Sequence, residues 1–182
     1  MTAEPSRPER RSPFVRRWRG RGRVAQAVSL LIVAGAAQRF VAMPRWTRVI
    51  GDPGEVPEQW TPGHEAVLPV RSGDIVEERV RRAIRRAGAR LPWTPSCLAE
   101  ATAGQIMLRR RGTAGVIVVG LRRAHGGAPW ESHAWLLGSC GALTGGPAAQ
   151  GFTAVTVFEV PGGLRAGEVD LSGPATPQAD DW

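Results

Sequence analysis

The chain reads as a mixed α and β protein, with helices in its first part and strands in its last. Three observations predict this. Apolar residues recur at helical spacing over residues 24–41 and 74–88, and a third helical stretch follows Trp93 and ends at Gly112. After Gly112 the period becomes extended, beginning with the β-branched run Val116, Ile117, Val118 and Val119. The third helix carries Cys97 near its start, and the next extended segment carries His133 at its middle.

The chain has 182 residues, 42% of them hydrophobic, which allows one compact domain with appendages. It contains 23 Gly and 15 Pro, so turns should be frequent. The net charge of +8 would suit nucleic acid, a membrane surface or an acidic peptide. No zinc-finger or helix-turn-helix spacing accompanies it, so no nucleic-acid partner is expected. Two cysteines make no disulfide framework, and a reduced, cytoplasmic setting is the simpler expectation. Three histidines without a CxxC pair argue against a structural zinc site, and no cofactor is expected.

Residues 1–23 are rich in Arg, Pro, Ser and Gly and are expected to be a disordered basic tail. Residues 24–92 are expected to form an N-terminal helical and loop region, 93–162 the core that carries Cys97 and His133, and 163–182 a disordered C-terminal tail. Val24, Val28, Leu31, Ile32 and Ala36 make an apolar stripe. The basic start and Ala34-Gly35-Ala36 resemble a secretory signal, but a packing helix is the preferred reading, with membrane-surface contact by residues 10–41 as an alternative. The uninterrupted apolar part is short for a membrane span. Residues 44–73 read as loop, marked by Asp52-Pro53-Gly54, Pro62-Gly63 and Ser72-Gly73. Asp74 can cap the next helix, whose stripe is Val76, Val80, Ile84 and Ala87; Glu77–Arg81 and Glu78–Arg82 are expected as i,i+4 pairs on its wet face. Three strands are expected: 114–121, 130–137 and 152–160.

The third helix should start with Thr94 as its cap and Pro95 in its first turn. Arg109, Arg110 and Arg111 then suit its negative end, and Gly112 its left-handed stop. Cys97 therefore lies in the first turn, where unpaired backbone N–H groups favour the thiolate. His133, in Trp130-Glu131-Ser132-His133-Ala134-Trp135, is the candidate base. The order of a Cys-bearing helix before a His-bearing strand occurs in papain-like and transglutaminase-like cysteine enzymes, whose Cys and His meet in space.

Taken together, Ser96-Cys97-Leu98, the Arg-Arg-Arg-Gly helix end, the Val-Ile-Val-Val-Gly strand and His133-Ala134-Trp135 resemble the leader peptidase of lasso-peptide biosynthesis, over roughly residues 74–160. That family is a transglutaminase-like cysteine protease. The resemblance implies an α+β fold with a transglutaminase-like (papain-like) core, its Cys-bearing helix packed on a small antiparallel sheet and preceded by N-terminal helices. It implies a hydrolase that cuts the leader from a ribosomally made precursor peptide, without metal or cofactor. A separate leader-binding protein and an asparagine-synthetase-like lasso cyclase are the implied partners. Cys97 would be the nucleophile and His133 the general base and acid.

This sequence departs from the family at one position. The family's orienting Asp falls about a dozen residues beyond the His, within Leu143-Thr144-Gly145-Gly146, where there is no carboxylate. Thr144, the Gly145 position, Gln150, Glu159 or a backbone carbonyl are the candidate substitutes; otherwise the pair is a dyad or the enzyme is impaired. The rival readings are acyl transfer to an amine, a precursor-binding scaffold, and a basic membrane-surface protein.

Overall fold

The structure is a computed structural model that describes residues 13–40, 45, 47–60, 73–124 and 129–169. Four helices precede most of the sheet: α1 (Pro13–Phe40), α2 (Thr47–Ile50), α3 (Ile75–Gly88) and α4 (Cys97–Arg109). The strands are β1 (Asp52–Gly54), β2 (Val116–Arg123), β3 (Trp130–Gly138), β4 (Gly141–Thr144) and β5 (Thr153–Glu159). They form one antiparallel sheet in the order β1-β5-β2-β3-β4. The α+β expectation therefore holds, with the cysteine on the helix that packs against the sheet.

α3 follows its sequence signals closely. Asp74 is its N-cap, accepting from the backbone N–H groups of Val76 and Glu77 at 2.7 Å each. Val80, Ile84 and Ala87 are buried on its inner face. One expected pair is corrected. Glu78 binds both Arg81 and Arg82, but Glu77 is only 5% exposed and turns inward. It accepts from Ser139 N at 2.9 Å and Ser139 Oγ at 3.2 Å, which ties α3 to the β3–β4 turn. A surface ion pair contributes little, whereas a carboxylate bonded to otherwise unpaired turn N–H groups satisfies buried donors.

α4 is the central helix, in contact with α1, α3 and the sheet. Its run of small residues permits this, because Ala99, Ala101, Ala103 and Gly104 let neighbours approach from several sides. A Cβ on Gly104 would lie 2.5 Å from Leu136 Cδ2, so helix and strand are closer there than any side chain allows. Buried Gln105 closes the exit from the helix: its Nε2 donates to Gly115 O at 2.8 Å and Gly115 N donates to its Oε1 at 2.9 Å. Arg109 caps the carbonyls of Arg48 and Val49, and Gly112 takes φ +77°, the left-handed stop.

The sheet has a core on each face, as strand alternation requires. Ile117 and Leu136 join Leu31, Ile84 and Met107 beneath the helices. Val116, Val118, Trp135, Leu137 and Val157 form the other core, with Ala166 and Val169. Several elements differ from expectation. β1 and β4 form where turn chemistry is read, because each pairs at a sheet edge; Pro53 is tolerated there, where one side of the strand needs no donor. Residues 13–23, expected to be disordered, begin α1, with Pro13 at its first position. Residues 163–169, expected as tail, form a short 3₁₀ turn at Ala166–Glu168 that covers the second core. The remaining tail residues, 1–12 and 170–182, lie outside the described residues. Among the described residues no helix is long and apolar enough to cross a membrane; α1 buries Ala27, Leu31 and Ala34 against the fold.

Candidate active site

Ser96 rather than Thr94 caps α4. Its Oγ accepts from Ala99 N at 3.2 Å and donates to Gln38 Oε1 of α1 at 2.7 Å. Both residues are capping types, so only the backbone position decides between them. The shift makes Cys97 the first residue of the helix. Its own N–H then has no intrahelical acceptor, because the first backbone bond of the helix is Glu100 N to Ser96 O at 3.1 Å.

β3 brings His133 to this helix start. β4 pairs with β3 only from Leu136 onward, so the preceding residues of β3 are paired on their β2 side alone. Cys97 occupies the open side. The His133 side chain and the backbone N–H groups of Ala134 and Leu98 are the groups that act on its sulfur.

The imidazole is held on three sides. Nε2 lies 2.9 Å from Gly145 O. A carbonyl only accepts, so Nε2 carries a proton, and in the neutral ring Nδ1 is the acceptor left for the thiol. The ring stacks on Trp135, with centroids 5.9 Å apart, and tilts against Phe152 at 5.3 Å. The Arg122 guanidinium covers Phe152 at 4.3 Å from its centroid and also binds Glu131.

The electrostatics of the pair are reciprocal. The hydrogen bond from His133, more than any other cause, draws the Cys97 thiol below its usual value against the upward push of burial; the Ala134 N–H, the His133 charge and the Leu98 N–H add to it. His133 is raised above its ordinary value, first by Cys97, against burial, and then by the Gly145 carbonyl and the charges of Cys97 and Glu100. Each group favours the charged form of the other, which is the condition for a thiolate–imidazolium pair.

The expected site residues separate clearly. Cys97 and His133 come together. The family's carboxylate position is filled by the Gly145 carbonyl, and no side chain could replace it as the backbone stands. Gly145 has φ +71°, and a Cβ would lie 2.8 Å from Ala134 O, 3.0 Å from Trp135 Cβ and 3.1 Å from His133 Nε2. Thr144 does not orient the ring; its buried Oγ1 has no partner among the described residues. Glu159 is also excluded from that role. Its carboxylate binds Arg165 and the Ala166 N–H at 2.7 Å each, and it pairs with Val116, whereas the rung that meets His133 is Gly120 with Ala154. Gln150 is exposed. Cys140, half-buried in the β3–β4 turn, is a free thiol, as is Cys97. His64 and His125 lie outside the described residues. Among the described residues no group of three or more His, Cys, Asp or Glu could hold a metal ion.

Glu100 belongs to this neighbourhood although its residue type reads only as a favourable charge near a helix start. The signal was its spacing, one turn beyond Cys97. It lines a cavity of about 120 Å³ with Arg81, Arg85, Thr144, Gly145 and Pro147.

A thiol at a helix start beside a strand imidazole is the arrangement on which cysteine-dependent acyl chemistry is built. The model of the transglutaminase-like superfamily, typically cysteine proteases or transferases, matches residues 30–157, from α1 into β5. No curated protein and no solved structure matches the chain. The matched span includes both Cys97 and His133 and covers well over half of the sequence, and the chain belongs to the transglutaminase-like superfamily.

Proposed function

We propose that this protein is a cysteine peptidase that removes the leader from a ribosomally made lasso-peptide precursor before the macrolactam ring is closed. The observation that carries the cysteine chemistry is the pairing of Cys97 with His133, each group favouring the other's charged form. The choice of substrate is supported by the resemblance of Ser96-Cys97-Leu98, the Arg-Arg-Arg-Gly helix end and His133-Ala134-Trp135 to that peptidase family.

In this mechanism Cys97 Sγ attacks the scissile carbonyl carbon as His133 Nδ1 holds the thiol proton. The developing oxyanion is met by the unpaired Cys97 N–H at the start of α4. The C–N bond breaks as His133 passes its proton to the leaving amine, leaving an acyl thioester. Water, deprotonated by His133, hydrolyses the thioester and restores the thiol. The precursor would be delivered by a separate leader-binding protein, and the core peptide handed to an asparagine-synthetase-like cyclase.

The test is mass spectrometry of precursor incubated with this protein and the leader-binding protein. Leader and core fragments are expected with the wild type and their loss with Cys97→Ala. Undiminished cleavage by a folded Cys97→Ala protein refutes the proposal. Acyl transfer to an amine, the second activity typical of the superfamily, shares the thioester and is distinguished by an amide product in place of the free acid.

A further inference from the structure

α1 packs on α3 and α4 through one face only, where Ala27, Leu31 and Ala34 are buried. By helical periodicity the opposite face carries Ala25, Ser29, Ile32, Val33, Ala36 and Phe40, and all six are exposed. Ile32 is 45% exposed, Val33 63% and Phe40 84%. Single apolar side chains in water are common, but a row of them on one helix marks a surface that meets something. Arg21 and Arg39, also exposed, lie about five turns apart along one border of this row. The charge of α1 identifies what the row meets. The helix contains six arginines and no Asp or Glu. Five of them, Arg16, Arg17, Arg19, Arg21 and Arg23, are crowded into consecutive turns rather than set at helical spacing. A second copy of α1 would therefore oppose like charges, and an acidic protein groove would call for arginines on one row. Unpatterned positive charge followed by an apolar row suits a surface whose negative charge is also diffuse, that of anionic lipid headgroups above an acyl layer.

We propose that the outer face of α1 binds an anionic membrane surface. Ile32, Val33 and Phe40 enter the boundary between headgroups and acyl chains, and Arg21 and Arg39 reach the lipid phosphates while their stems lie along the apolar row. The helix lies in the interface, since no helix of the described residues is long and apolar enough to cross a membrane. The inner face of α1 stays on α3 and α4, so binding requires no unfolding. It also requires no cleavage, and the inference stands whether or not the peptidase reading does.

The experiment is flotation of the full chain with phosphatidylcholine vesicles that contain phosphatidylglycerol, and with vesicles of phosphatidylcholine alone. The wild type should float with the anionic vesicles, and less of it as salt rises and screens the headgroups. Arg21→Gln and Arg39→Gln should each weaken partition roughly fivefold. Val33→Ser with Phe40→Ser should weaken it roughly tenfold or more, through the apolar burial that is lost. All four side chains are exposed, so Tm should stay that of the wild type. Wild-type protein that does not float with anionic vesicles overturns the inference, and a protein partner captured through Val33 and Phe40 in its place assigns the face to that partner. Equal flotation with phosphatidylcholine alone also overturns it, as does flotation unchanged in both the charge and the apolar variants. None of these results bears on cleavage by Cys97, which is read separately from the precursor.

Discussion

Replacing Gly145 with alanine tests whether one backbone carbonyl governs the imidazole. The residue sits at φ +71°, and the added methyl would meet Ala134 O at 2.8 Å, Trp135 Cβ at 3.0 Å and His133 Nε2 at 3.1 Å. The left-handed conformation alone costs a residue with a Cβ about 1–2 kcal/mol. Two of the three contacts are with backbone or a Cβ, which cannot yield by changing rotamer, so the loop must move and the Gly145 O to Nε2 bond lengthen. A lost neutral hydrogen bond adds about 0.5–1.5 kcal/mol. The sum, about 1.5–3.5 kcal/mol, corresponds to a fall in Tm of roughly 3–14 °C for a chain of this size. The ring, no longer fixed by its Nε2 proton, would also present the wrong nitrogen to Cys97 part of the time. The shoulder of Cys97 alkylation by iodoacetamide at low pH, where thiolate and imidazolium coexist, should therefore shrink. The assays are thermal melting by circular dichroism and Cys97 alkylation in the Cys140→Ala background. A Gly145→Ala protein with unchanged Tm and an unchanged shoulder would refute the role assigned to this carbonyl. For the same reason Gly145→Asp should impair the protein rather than restore a carboxylate.

Two further outcomes are expected. The Cys97–His133 pair should make stability depend on pH with a definite sign. The contribution of His133 is full below its ordinary 6.5 and is lost as pH rises through its raised value, while that of Cys97 is full above 9.0 and is lost as pH falls through its lowered value. Melting of the wild type and of Cys97→Ala across pH should therefore diverge, the His133 part fading as pH rises through its raised value and the Cys97 part fading as pH falls through its lowered value; parallel curves would contradict the pairing. Glu77→Ala should destabilise by about 1–3 kcal/mol through the unsatisfied turn donors it leaves at Gly73 and Ser139, whereas urea midpoints within error of the wild type would return Glu77 to the surface role its sequence position suggests.

Much of the architecture was legible because its signals are local. Helical spacing located α3 and the later part of α1, and Asp74 marked where α3 begins. β-branched and alternating runs located β2, β3 and β5 to within two residues at each end. The segments that were missed are those whose structure depends on a distant partner. Asp52-Pro53-Gly54 has turn chemistry and becomes a strand only because β5 lies beside it. Residues 163–169 pack only because the second face of the sheet leaves Val157 and Trp135 to be covered.

The candidate site divides in the same way. The sequence by itself determined that Cys97 would lie in the first turn of a helix and His133 within a strand, because capping preference and periodicity act over three or four residues. Only the tertiary structure decided what surrounds them. The end of β4 at Thr144 leaves one side of β3 open for Cys97 and turns the Gly145 carbonyl toward Nε2. The packing of α4 between α3 and the sheet places Glu100 on the same cavity, and the β3–β4 turn draws Glu77 inward. A backbone carbonyl has no residue type by which to be recognised, and an acidic side chain looks alike whether it faces water or a cavity. Its direction is set by long-range register and close packing, which no window of a few residues contains.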